Sequence, residues 1–289
     1  MNSSRSKSPP SEWVWDSLPP LPAVAAKLLA VLDDESVSLG EISRLIQLDV
    51  AFSAEVLRMA NSALFPRRFE VLNVLHGVST LGVERIRSLI LTLALRDLLT
   101  SKELNRLVHL CWRHSLASAL VSESLAEILW NDRPTAYTAG LLHDIGRLAL
   151  ITVDPIAYSA VVANRGVGEQ CLAESEWEIF GVDSANVKLE LARKWHLPDK
   201  LMGGHCCQSG VEFDADNELD RTVALGCRVA CHLGFTIRDQ PSEVSPAKFK
   251  DSLPHWAREQ VADRLDEFAG SLLLRLNAFE CEFMSPCLK

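Results

Sequence analysis

The chain has 289 residues, of which 48% are hydrophobic and 23% charged, and its formal net charge is −9. A chain of this size buries enough surface to fold without a disulfide or a structural metal, and the composition excludes disorder as its main state. The acidic balance works against non-specific binding to nucleic acid or an anionic membrane, so neither is expected as a partner.

No run of about eighteen uncharged apolar residues occurs, so no membrane span is expected. Residues 1–17 are rich in Ser and Pro and lack the apolar core of a signal peptide. They read as a flexible leader. The eight cysteines are scattered through a chain with ample core residues. Reduced thiols and a cytoplasmic location are the expectation.

Helical periodicity dominates from there on. Leu21, Val24, Ala25, Leu28, Leu29 and Leu32 share one face, with Pro22 tolerated in the first turn. Ser38 and Glu41 form a capping-box pattern for the next helix, and Asp49 caps a third that reaches Asn61. Residues 83–99, 102–130 and 135–153 read as three long helices. Further helices are expected at 155–164, 169–179, 184–195, 198–208, 218–233 and 255–279. Val71 to Leu75 is the one mild strand competitor. In the last helix Val261, Leu265, Phe268, Leu272, Leu276 and Phe279 form one apolar stripe, read as a face packed on the body of the protein. The fold class is therefore all-α, a compact multi-helix bundle. Residues 18–100 and 101–237 read as two helical subdomains, and 238–289 as a linker followed by the C-terminal helix.

The sharpest chemical feature is Gly140-Leu141-Leu142-His143-Asp144-Ile145-Gly146-Arg147. Imidazole and carboxylate both ligate divalent ions, but a His-Asp dipeptide alone equally suits a hydrogen-bonded helix end. His114 lies mid-helix, and His205 follows two glycines. Cys227 and Cys231 share a helix face at i, i+4, and a zinc site made with His205 is conceivable. Without a Cys-x-x-Cys pair, small buried hydrophobes are the preferred reading of these thiols. Asp214 to Asp220 lacks the glycine and the closing Glu of a calcium loop. Neither a phosphate-binding glycine loop nor a nucleophile elbow occurs.

Several motifs in order resemble the HDOD domain, an offshoot of the HD-domain metal-dependent phosphohydrolases. They are Leu18-Pro19-Pro20-Leu21-Pro22, Ile46-Gln47-Leu48-Asp49, Leu57 to Ser62, Leu81 to Ile86, Trp112 to Ser115, Ala139 to Gly146 and Trp195 to Pro198. Val50 stands where the family usually has proline. The resemblance covers about residues 18–235. It implies an N-terminal helical subdomain packed on an HD-like one, and a non-catalytic regulatory role in bacterial signal transduction.

The related enzymes hold metal with an H…HD…D pattern. Mapped here, His114 is the first His, and His143 with Asp144 is the HD pair. His205 matches the first His of a His-His pair whose second is Cys206. Ser184 stands in place of a further His, and Cys227 in place of the closing Asp. On the resemblance, His114, His143, Asp144 and His205 form a vestigial, metal-free cluster. The alternative is one divalent ion (zinc, iron or manganese) on those four, with Cys227 as a softer fifth contact. The expected partner is a protein in a signalling pathway, with a nucleotide as a second class of ligand. The competing function is a phosphohydrolase or phosphodiesterase acting on a nucleotide or cyclic dinucleotide, with Arg113 or Arg147 on the phosphate.

Overall fold

The computed structural model describes residues 12–18, 21–34, 36–48, 50–61, 70–100, 106–129, 132–163, 169–203, 218–237, 251, 253, 255, 258, 261 and 264–283. Among these residues every regular element is helical and there is no strand. The chain separates into two units: Pro20–Ser101, and Met1–Pro19 together with Lys102–Lys289.

The first unit holds α2 (Ala23–Leu32), α3 (Leu39–Gln47), α4 (Val50–Ala60), α5 (Val74–Leu81) and α6 (Val83–Thr100). Pro22 precedes α2 as its N-cap residue. Ala25, Leu28, Leu29 and Leu32 are buried as the periodicity predicts, while Val24 remains partly exposed. The capping box forms: the Ser38 hydroxyl accepts from Glu41 N–H, and the Glu41 carboxylate accepts from Ser38 N–H at 3.0 Å. Such a cap satisfies two N–H groups that the helix cannot. The Asp49 cap lies outside the described residues. Val71 to Leu75 makes no strand; Asn73 caps α5 by accepting from His76 N–H. Gly82 joins α5 to α6 at φ 78°, a conformation that favours glycine. Arg87 is nearly buried and donates to Asp33 Oδ1 at 2.7 Å and to the Leu32 carbonyl at 3.1 Å, closing the C-terminal end of α2.

The second unit holds α1 (Glu12–Ser17), α7 (Arg106–Leu129), α8 (Arg133–Leu142), α9 (Ile145–Val153), α10 (Pro155–Ala163), α11 (Glu169–Phe180), α12 (Ser184–Lys194), a 3₁₀ turn (Asp199–Leu201), α13 (Glu218–His232) and α14 (Leu265–Phe283). Residues 12–17 differ from the expected leader: they are helical, Val14 is fully buried, and Lys194 Nζ donates to the Trp15 carbonyl at 2.8 Å. The helix expected over 135–153 is two helices broken at His143-Asp144.

Helix α7 is the axis of this unit, with α8, α13 and α14 against it. It is buried along most of its length. Phe268, Leu272 and Leu276 of α14 are buried, as the apolar stripe predicts. Arg275 of α14 also pairs with the buried Glu123 of α7. The remainder of the 238–254 linker, apart from residues 251 and 253, lies outside the described residues. No single described helix is long and apolar enough to cross a membrane.

Candidate functional site

Two glycines set the geometry. A Cβ on Gly140 of α8 would lie 2.9 Å from Ala119 Cα and 3.0 Å from Ser122 Oγ. A Cβ on Gly226 of α13 would lie 2.2 Å from Ser122 Oγ and 3.2 Å from the Ser118 carbonyl. Both helices therefore meet the Ser118–Ser122 stretch of α7 at backbone contact distance. His114 is one helical turn before Ser118, His143 follows Gly140 by three residues, and Cys227 follows Gly226 directly. Close approach at the glycines thus delivers all three side chains to one place.

His114 and His143 are 2% and 4% exposed. His114 Nδ1 lies 2.8 Å from the Phe235 carbonyl, and His143 Nδ1 lies 2.6 Å from the Gly140 carbonyl. A carbonyl only accepts, so each Nδ1 carries the proton. Both Nε2 atoms then face one another, 3.2 Å apart. With both rings neutral these are two opposed lone pairs, an arrangement that a cation between them relieves. Zinc–nitrogen bonds of about 2.0–2.1 Å at a tetrahedral angle put two ring nitrogens about 3.3 Å apart. Holding the far ring nitrogen on a carbonyl is also how ligating histidines are usually oriented.

Asp144 lies beside the two rings but is paired with another side chain. His143 ends α8 and Asp144 begins α9, so the adjacent side chains sit on different helices' ends. Arg147 Nη1 donates to Asp144 Oδ2 at 2.6 Å, and both side chains are about 5% exposed or less. Arg147 Nε lies 3.6 Å from Glu176 Oε1, and the Glu176 side chain is 0% exposed. The same Glu176 accepts from Tyr158 O–H at 2.6 Å and from Ser184 N–H at 2.7 Å. Burial, above all, holds the Tyr158 hydroxyl well above its ordinary value of 10.0. Gly146 admits α12 to this network: its Cβ would fall 1.9 Å from the Ser184 carbonyl oxygen.

His114 belongs to two donor sets that are each closed within 4.8 Å: His114, His143 and Asp144, and His114, Cys227 and Cys231. Cys227 Sγ is 3.5 Å from His114 Nε2. Three of the four residues expected at the site are thus brought together; His205, like its neighbour Cys206, lies outside the described residues. Arg147, given a phosphate in the competing reading, is placed as the buried partner of Asp144. Arg113 stacks over the Phe235 ring, 5.5 Å from its centroid. Sequence reasoning missed Glu176 and Tyr158, which carry no local signal, and set aside Cys231, whose i, i+4 spacing from Cys227 was the available one.

A helical domain centred on a buried HD pair is the class of protein that this fold and site define. The family model of the HDOD domain matches residues 18–208, and the chain belongs to that family. It is similar in structure to an HDOD domain protein of unknown function from Geobacter sulfurreducens, with TM-score 0.63, 21% identity and 94% of each chain covered. A Shewanella amazonensis SB2B protein described as a phosphohydrolase matches with TM-score 0.61 and 25% identity, over 93% of this chain and 94% of that one. An uncharacterized Treponema pallidum (strain Nichols) protein is 24% identical over 192 residues, which is 65% of this chain but 36% of that relative.

Proposed function

We propose that the protein is a non-catalytic regulatory module that acts in the bacterial cytoplasm by binding a protein partner in a signalling pathway. The observation that carries this reading is the 2.6 Å ion pair between Asp144 and the buried Arg147. A hydrolytic centre on hard metal ions needs carboxylates free to neutralise the ions and to orient a nucleophilic water. Here the one carboxylate of the HD pair is already neutralised by a guanidinium. The position matching the closing Asp is Cys227, a softer donor than an oxygen anion. The residues of the His114, His143 and Asp144 set therefore fit a hydrolytic metal poorly, and no reaction step is assigned to it.

The competing reading, a phosphohydrolase acting on a nucleotide or cyclic dinucleotide with one zinc, iron or manganese ion, draws on that same set. Activity separates the two. Purified protein supplied in turn with Mn, Mg, Fe and Zn should turn over none of a panel of nucleotides, phosphodiesters and cyclic dinucleotides. Turnover that disappears in Asp144→Ala would overturn the regulatory reading.

A further inference from the structure

We propose that His114, Cys227 and Cys231 form a sulfur–nitrogen site for one zinc ion, distinct in composition from the His and carboxylate set of the HD pair. Three observations carry it. A ring nitrogen of His114 and the two Sγ atoms lie within 4.8 Å of one another. The Cys227 Sγ to His114 Nε2 distance is 3.5 Å. A tetrahedral zinc with bonds of about 2.3 Å to sulfur and 2.05 Å to nitrogen separates those atoms by about 3.6 Å. The Phe235 carbonyl holds His114 Nδ1 at 2.8 Å, so Nε2, on the side of Cys227, is the nitrogen placed to ligate.

The thiols come together for a helical reason. Cys227 and Cys231 are one turn apart on α13, so their side chains share a face. Cys231 Sγ stands 4.0 Å from His114 Nδ1, on the same ring, and must shift toward Nε2 to complete the site. Neither Cys227 nor Cys231 is held in a disulfide.

Charge and softness choose zinc. Two thiolates balance a divalent ion, whereas Asp144 is already balanced by Arg147. Sulfur with imidazole favours zinc over manganese or magnesium. Cys227 is buried and Cys231 partly exposed, which gives the ion a way in from solvent. His143 Nε2, 3.2 Å from His114 Nε2, is the nearest fourth donor. The inference goes beyond the regulatory reading and does not depend on it.

The test is a cobalt(II) titration of the full chain, purified without a metal-affinity tag and stripped of metal. The expected result is one cobalt per chain with a thiolate-to-cobalt charge-transfer band in the near ultraviolet, bleached by one equivalent of zinc. Cys227→Ser should remove most of that band, Cys231→Ser should weaken it, and Asp144→Asn should leave it in place. Because Cys231 is partly exposed, its substitution keeps the test valid if Cys227→Ser does not fold; circular dichroism checks both. Cobalt bound without the band, a band that survives both cysteine substitutions, or no cobalt at one equivalent would each overturn the site. None of those results touches the regulatory reading, which only turnover overturns.

Discussion

Replacing Arg147 by methionine isolates the interaction on which the functional reading rests. The change keeps most of the side-chain volume and removes the guanidinium. It leaves two carboxylates, Asp144 and Glu176, that are 4% and 0% exposed at the side chain and have lost their shared cation. Breaking a buried ion pair by removing one partner costs about 3–5 kcal/mol, because an uncompensated charge stays behind. The unit that contains it has about 200 residues. At about 2–4 °C per kcal/mol for that size, the melting temperature should fall by about 6–20 °C. Adding Asp144→Asn to Arg147→Met should recover part of the loss, since one stranded charge goes with it. Thermal and urea melts of the four proteins in that cycle give the coupling directly. A loss below about 1 kcal/mol for Arg147→Met would mean that Asp144 does not depend on Arg147.

Other expectations follow from the same network. Gly146→Ala should cost at least about 1–3 kcal/mol, because its Cβ meets the backbone of Ser184 at 1.9 Å and of Lys188 at 2.6 Å, and backbone cannot rotate aside. An unchanged urea midpoint would contradict that packing. Tyr158 keeps its proton in the folded state while the unfolded chain releases it near 10.0. Its contribution is therefore complete below that pH and is lost as pH rises beyond it, by up to about 1.4 kcal/mol per pH unit. Tyr158→Phe should melt at lower temperature at neutral pH, having lost the bond to Glu176, and should show a shallower alkaline decline. An identical alkaline slope in both proteins would contradict the assignment. His143→Ala should also lower stability, because it removes the donor that satisfies the Gly140 carbonyl. Equal melting temperatures would show that His143 has no such role.

The all-α class was legible because helical period runs through nearly the whole chain, and caps such as Ser38 and Glu41 announce themselves locally. The break at His143-Asp144 was not. Apolar residues flank it on both sides, so period alone runs straight through from 135 to 153. What ends α8 there is the turn that sends His143 toward α7 and Asp144 toward Arg147, and that is a tertiary matter. Residues 12–17 read as leader because Ser and Pro dominate their surroundings, yet Val14 finds a buried place in the second unit.

Of the site, His114, His143 and Asp144 were legible through the motif resemblance. The role of Arg147 needed the fold, although its i, i+3 spacing from Asp144 permits the pair. Glu176 lies more than thirty residues away, on α11, and no local pattern connects it to Asp144. Gly140 and Gly226 are ordinary in sequence. Only the contacts of their absent side chains with Ser118 and Ser122 show why glycine is needed there.

The central claim is that Asp144 is committed to Arg147 and does not serve a hard metal ion. Crystals grown with manganese(II), read by anomalous scattering, test it most directly. Asp144 should be found on Arg147, as at 2.6 Å here, with no manganese between His114, His143 and Asp144. A manganese ion bound by those three side chains, with Arg147 displaced, would contradict it.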